Sequence, residues 1–236
     1  MLILGIDTSA LAAGAAVLKD GKLISETYIN VGLTHSQTIM ELIDSALKNA
    51  CIGFSDIDAV AVSAGPGSFT GIRIGVSAVK GLCFPENKPC CPVSTLEALA
   101  NCVDLDGFLI VPVMDARCMQ VYTAVFEKTG GEIVRVADDA PMKLEELYNV
   151  LNVYDKKILL IGDGAELSYK FLLEKGLDVR VFSEIFKFQH ASGVAITAYR
   201  HYNKGEEFIS AAELIPSYLR LSQAERELKK TGVDKT

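Results

Sequence analysis

Residues Val62 to Gly75 read VSAGPGSFTGIRIG. An apolar run, Ile57 to Val62, leads into this stretch, and a helical pattern runs out of it toward Phe84. Between the two lie Gly65, Pro66, Gly67 and Gly71. Glycine permits positive φ and close backbone approach, and proline fixes φ, so a tight strand-to-helix turn is expected, with Ser68, Thr70 and Arg73 carried on it. Such a turn presents backbone N–H groups at a helix N-terminus, where an anion or a partner group can bind. A purely structural turn explains the glycines equally well. The Lys-Ser/Thr pair of a Walker A loop is absent.

Outward from the turn, the chain reads as two copies of one unit. Leu2 to Ile6 is a short strand ending at Asp7, Thr8 and Ser9. Strands Ala12 to Leu18 and Lys22 to Ile29 flank Asp20-Gly21, a hairpin signal. Thr34 and Gln37 have the form of a capping box, and Ile39, Ile43, Ala46, Leu47 and Ala50 follow at helical spacing. A short strand (Pro89 to Val93) and a helix capped by Ser94, with Glu97 at the matching position, close the first copy. The second copy opens with Phe108 to Met114, which ends in Asp115 as the first strand ends in Asp7. Strands Met119 to Phe126 and Glu132 to Val136 follow, then a helix over 143–151. The strand Lys157 to Ile161 ends in Gly162-Asp163-Gly164, the counterpart of the turn at Gly65. A further strand (178–182) and helix (191–203) complete it. The expected organisation is a first domain over 1–104, a second over 105–215 and a tail over 216–236. Asp7 and Asp115 are expected to face each other across the cleft between the copies.

Composition narrows the function. Half of the 236 residues are hydrophobic, enough for a sizeable core. No apolar run approaches the ~20 residues that span a bilayer. The N-terminus MLILGIDTS lacks a basic region and reaches Asp7 too early for a signal peptide, so a cytoplasmic protein with no membrane partner is expected. The six cysteines include no C-x-x-C pair and read as small buried hydrophobes. A net charge of −7 repels a phosphate backbone, which makes nucleic acid a poor sole partner.

An Asp-Thr-Ser hairpin at the end of strand one, duplicated, resembles the α/β class of actin, hexokinase and Hsp70, with its paired ribonuclease-H-like domains. In that class the loop contacts phosphates and its Asp helps hold magnesium. Here Asp7, Thr8 and Ser9 are kept, but the second loop is Asp115-Ala116-Arg117 and lacks the usual Gly-Thr-Gly. The resemblance therefore implies a nucleotide cleft around Asp7, Thr8, Ser9, Asp115, Gly162 and Gly164 that binds ATP or ADP weakly, with no cofactor required.

A sharper resemblance rests on six motifs in order: GIDTS, THSQ, SAGPGSFTGIRIG, PVSTLEALA, MDARCMQVY and PSYLR followed by QAE. Together they are similar to the TsaB (YeaZ) family. That resemblance implies a bacterial, non-catalytic subunit of the machinery that makes threonylcarbamoyl-adenosine beside the anticodon of tRNA. Its implied partners are the catalytic TsaD-type subunit, a TsaE-type ATPase, a second copy of itself when alone, and tRNA only through the complex. TsaC supplies the activated donor in related systems. The catalytic relative carries His-x-x-x-His on a helix, a spacing that puts both rings on one face for one metal. The matching positions here are Thr95 and Leu99, and leucine cannot ligate. The three histidines, His35, His190 and His201, are far apart in sequence; His35 falls in a helix's first turn and His201 reads as a solvated helix end. No catalytic residue and no metal site are expected. The alternative is an enzyme in its own right, a small-molecule kinase or ATPase of the actin class, or a peptidase. For a peptidase, Ser68 and Ser94 lack a neighbouring His and a G-x-S-x-G context.

The helix after the glycine turn carries two stripes. At 100° per residue Ile72, Val76, Val79 and Cys83 share an arc suited to the domain's own sheet, and Arg73 and Lys80 lie roughly opposite. Between them run Ile74, Ser77, Ala78 and Gly81, small residues that admit another helix closely. Either the helix from His35, with Met40 at its edge, covers this stripe, or a partner does. The family resemblance favours a partner, seated on His35, Met40, Ile74, Ser77, Ala78 and Gly81. The tail PSYLRLSQAERELKK is locally basic through Arg220, Arg226, Lys229 and Lys230. It reads as a solvated tail or as a segment returning to the first domain.

Overall fold

Leu2–Asp7 (β1), Ala13–Lys19 (β2) and Lys22–Ile29 (β3) form a meander whose second turn is Asp20-Gly21, both at positive φ (49° and 78°), as a type I′ turn needs. Helix α1 (His35–Asn49) leads to β4 (Ala59–Gly65), α2 (Phe69–Cys83), β5 (Cys90–Ser94) and α3 (Thr95–Asn101). The second half repeats this as β6 (Phe108–Asp115), β7 (Gln120–Thr129), β8 (Glu132–Lys143), α4 (Leu144–Leu151), β9 (Lys157–Ile161), α5 (Ala165–Glu174), β10 (Val179–Val181) and α6 (Ala191–Asn203). The computed structural model describes residues 1–220. Its two five-stranded sheets run β3-β2-β1-β4-β5 and β8-β7-β6-β9-β10, the same order twice. β1 pairs antiparallel with β2 and parallel with β4; β6 does the same with β7 and β9.

The outer face of the first sheet (Leu4, Ile6, Val60, Val62) packs on Ile39 and Ile43 of α1 and on Ile72, Val76 and Val79 of α2. Its inner face (Ile3, Leu18, Ala61, Val93) packs on Val194, Ala195 and Ala198 of α6. In the second sheet Val111, Val113 and Leu160 meet Leu144 and Leu147 of α4 and Leu172 of α5. The inner face there (Ile110, Met114, Phe126, Ile161) meets Leu96 and Leu99 of α3. Each copy's last helix thus seats on the other copy's sheet. Full burial of each such Val, Leu, Ile, Met or Phe side chain stabilises by roughly 1.5–3 kcal/mol. Two glycines permit the close seating: a Cβ at Gly5 would lie 2.5 Å from the Ala191 carbonyl, and one at Gly193 2.5 Å from the Ala98 carbonyl.

Several local expectations are corrected. The Thr34 side chain caps nothing; Gln37 N–H donates to the Thr34 carbonyl instead (2.9 Å). Ser94 accepts from Glu97 N–H (3.2 Å), but the Glu97 carboxylate turns to Arg135 and His201 and does not complete the box. β8 continues to Lys143, seven residues beyond Val136 (143 − 136). It is an edge strand, where Pro141 is tolerated. The cysteines are not uniformly buried: Cys83, Cys90 and Cys91 are, Cys102 is half-buried, and Cys51 and Cys118 are exposed.

Candidate functional site: the interdomain cleft and the open face of α2

The glycine turn is shaped by its neighbour, the tip of the first hairpin. Ser68 N–H donates to the Ser9 carbonyl (2.6 Å), and Thr8 Oγ1 donates to the Gly71 carbonyl (2.8 Å). A side chain at Gly67 would strike the Ser9 carbonyl, and one at Gly71 the Thr8 carbonyl. Gly65 (φ 133°) and Gly67 (φ 156°) also hold backbone that other residues rarely adopt. These glycines therefore bring two backbones together. Ser68 caps α2 by accepting from Gly71 N–H (3.2 Å).

A cavity of about 500 Å³ lies between the copies. Ser9, Gly67, Ser68 and Thr70 line it from the first domain, and Asp115, Arg117, Tyr122 and Asp163 from the second. Asp7 and Thr8 are fully buried behind it. Asp7 accepts from Ser9 N–H and Ser9 Oγ (each 2.8 Å) and from Ser63 Oγ, tying β1 to β4. Burial pushes its carboxyl above the ordinary value, against those bonds. The expected facing of Asp7 and Asp115 is thus not what the cleft presents: Asp115 is exposed, and Asp7 is sequestered. Gly162 and Gly164 press the start of α5 onto β6, where a side chain at Gly162 would strike the Val113 carbonyl. They carry Asp163 to the cleft wall, accepting from Asp115 N–H (3.0 Å), and burial raises its pKa. The second hairpin's tip, Arg117 to Met119, holds three consecutive residues at positive φ, a geometry its sequence does not advertise.

The chain after α6 straps across this cleft. Cys90 and Ile209 exchange both backbone bonds (2.7 and 2.9 Å), and Lys80 Nζ donates to the Ala212 and Leu214 carbonyls (each 3.0 Å). Ser217 N–H donates to the Ala64 carbonyl (2.7 Å), and only a glycine at position 65 leaves room for the Ser217 carbonyl. Tyr218 stacks on Phe69 (4.4 Å) and accepts from Arg73 Nε (2.8 Å). Arg220 Nη1 then reaches the Ala116 carbonyl of the second domain (3.1 Å). Ser217 to Arg220 line the cavity. Sequence reading missed Arg117, Tyr122, Tyr218 and Arg220 as cleft residues. Arg226, Lys229 and Lys230 of the basic tail lie outside the described residues.

The positions that resemblance matches to metal-binding histidines serve packing. Thr95 is fully buried, and Leu99 sits in the interdomain core with Met114, Phe126 and Ile161. Among the described residues no three His, Cys, Asp or Glu side chains gather as metal ligands. His35, at the start of α1, donates from Nε2 to the Ala10 carbonyl (2.7 Å). His201 is not a solvated helix end: it is half-buried and bonded to Glu97 (2.9 Å), which holds its pKa above the ordinary value. His190 stacks on Tyr28 (4.6 Å). Neither Ser68 nor Ser94 has a histidine partner; both cap helices, and Ser94 Oγ also donates to Asp139 (2.5 Å).

On α2 the inward stripe is buried as its spacing implies. Arg73 and Lys80, opposite, hold the strap. On the intervening stripe, Ile74 and Ala78 are half-buried against the first core, and Ser77 and Gly81 are exposed. A Cβ at Gly81 meets nothing within 4 Å. α1 packs beside α2 but leaves Ser77 and Gly81 open, and Met40 on α1 is 48% exposed.

Two like domains, each a three-strand meander followed by crossed parallel strands, with hairpin tips and strand-to-helix turns converging on a central cleft, define the duplicated fold of actin, hexokinase and Hsp70. The activator of 2-hydroxyisocaproyl-CoA dehydratase from Clostridium difficile, solved with bound ADPNP, shares the fold at 10% identity (TM-score 0.51, covering 87% of this chain and 97% of that one). Within that class the chain belongs to the TsaB (YeaZ) family. It is 34% identical over 226 residues to the tRNA threonylcarbamoyladenosine biosynthesis protein TsaB of Bacillus subtilis, covering 95% of this chain and 96% of that one. A Pseudomonas aeruginosa protein described as similar to the peptidase YEAZ superposes with a TM-score of 0.81 at 25% identity, covering 93% of this chain and 99% of that one. The family model of TsaD, tRNA N6-adenosine threonylcarbamoyltransferase, matches residues 30–231. No helix of the described residues is long and apolar enough to cross a membrane.

Proposed function

We propose that this chain is the accessory subunit that partners a TsaD-type catalytic subunit in forming threonylcarbamoyl-adenosine on tRNA, and is not an enzyme on its own. The observation that carries this reading is the likeness to TsaB along almost the whole chain. The packing of Leu99 into the interdomain core supports the non-catalytic half of it, since a buried leucine offers no atom to ligate a metal. The chain works in the cytoplasm, self-associates when alone, joins a TsaE-type ATPase in the assembly, and meets tRNA only through the complex. The partner seats on α1 and α2, over His35, Met40, Ile74, Ser77, Ala78 and Gly81. The open small-residue stripe supports this placement, because a neighbouring helix packs closely where side chains are short. ATP or ADP binds the cleft weakly at best, with negligible hydrolysis.

A reconstituted modification assay tests the reading. The catalytic relative from the same cell, the activated donor and tRNA are combined with and without this chain. Modification that rises with this chain, and none from this chain alone, is expected. Full modification without it, or modification by it alone, overturns the proposal.

A further inference from the structure

The charges around the cleft are evenly balanced. Among the described residues lining it, the cations are Arg117 and Arg220, and the anions are Asp115 and Asp163. Both arginines line the cavity, and Arg220 Nη1 donates to the carbonyl of Ala116, the residue before Arg117, so the two side chains come from neighbouring stretches of the cavity wall. Asp163, just before α5, accepts from Asp115 N–H, so a carboxylate already stands at the second domain's turn. Asp7, which the fold class would offer to magnesium, is fully buried with both oxygens accepting from Ser9 and Ser63. Asp7 is therefore closed to a metal ion, no three metal-ligating side chains gather among the described residues, and each further phosphate adds to the negative charge of Asp115 and Asp163. Two guanidiniums match one phosphate dianion, and a guanidinium fork is suited to phosphate oxygens. Tyr122 and the stacked pair Phe69 and Tyr218 stand around the same cavity, and their outer faces are surfaces on which a base stacks.

We propose that the cleft binds a nucleoside monophosphate without a metal ion, its phosphate held by Arg117 and Arg220 and its base among Phe69, Tyr122 and Tyr218. This rests on reading the cleft as a nucleotide site. It adds that the strap is part of the site, since Tyr218 and Arg220 both arrive on it.

Calorimetric titration of the full chain with AMP, ADP and ATP, each with magnesium and with EDTA, tests the proposal. AMP is expected to bind about tenfold or more tighter than ATP, with no gain from magnesium. Arg117→Ala and Arg220→Ala should each weaken AMP by about tenfold, with both variants still folded in thermal melts and Arg220→Ala lowered by a few degrees for its lost bond to Ala116. Asp163→Asn should narrow the gap between ATP and AMP. Tighter binding of magnesium ATP overturns the proposal and leaves the nucleotide reading standing. So does AMP affinity within twofold of the parent in both arginine variants. If none of the three nucleotides binds at millimolar concentration, the nucleotide reading falls and this inference with it.

Discussion

Gly81→Arg separates partner binding from folding better than any other change on α2. Gly81 lies in the last turns of the helix, is exposed, and has nothing within 4 Å of where a Cβ would sit. A side chain there costs the monomer nothing in packing. Glycine is about 0.8 kcal/mol worse than arginine inside a helix, so the monomer should gain roughly that much. At about 2–4 °C per kcal/mol for a chain of this size, its melting temperature should rise by roughly 2–3 °C. The complex should respond in the opposite direction. A guanidinium buried in the seam without a partner costs about 3–5 kcal/mol, which at 1.4 kcal/mol per decade weakens binding by more than about a hundredfold. Ala78→Arg should also break the complex. Ala78 is half-buried against the first core, however, so that variant strains the monomer as well. Calorimetry against the TsaD-type subunit and light scattering for self-association read the binding; scanning fluorimetry reads the fold. Affinity within threefold of the parent would place the interface elsewhere. A melting temperature lowered by more than about 5 °C would mean that the stripe is internal packing.

Three further outcomes are expected. His201 is raised by its bond to Glu97, so its stabilisation is full below the ordinary 6.5 and is lost as pH rises through the raised value. Burial pushes Glu97 up, but His201 and Arg135 hold it below 4.5, so its share is lost only as pH falls through that lowered value. In His201→Gln, thermal melts should lose less stability on the alkaline side; a slope equal to the parent's would refute the assignment. Some slope remains from His190, which burial lowers but Glu26 raises by more. Gly5→Ala drives a Cβ to 2.5 Å from the Ala191 backbone and should cost about 1–3 kcal/mol in denaturant unfolding; a neutral result would mean that α6 yields easily. Thr95→His with Leu99→His should destabilise by roughly 2 kcal/mol or more and bind no metal by elemental analysis, because both positions are enclosed by the interdomain core. One zinc or iron per chain in that variant, or in the parent, would overturn the account.

Much of the fold could be read locally. Asp20-Gly21 marks a hairpin by conformation alone, and the apolar runs ending in Asp7 and Asp115 announce the repeat. What escaped was set by distant contacts. β8 runs past Asp138, Asp139 and Pro141, which look like a loop until the edge position excuses the proline and Arg135 and Ser94 take up Asp139. Asp7 looks like a cleft ligand because its motif sits at a strand end; its burial depends on Ser63, 56 residues away. The cleft's arginines were illegible for another reason. Arg117 faces it only through a run of left-handed backbone, and Arg220 only because the strap crosses the domain boundary. Cys118, in the middle of that run, is exposed, against the ordinary preference of free cysteine for the interior.

The reciprocal seating of α3 and α6 has a consequence for the order in which the protein is made. When residues 1–104 have left the ribosome, the inner face of the first sheet, with Ile3, Leu18, Ala61 and Val93, still lacks its cover, because Val194, Ala195 and Ala198 are about ninety residues from synthesis. At about 5–20 residues per second this apolar face stays open for roughly 5–20 s. The N-terminal half is therefore a waiting template rather than an autonomous folding unit. A nascent chain stalled before Ala191 should recruit chaperones, whereas one stalled after Asn203 has emerged should not.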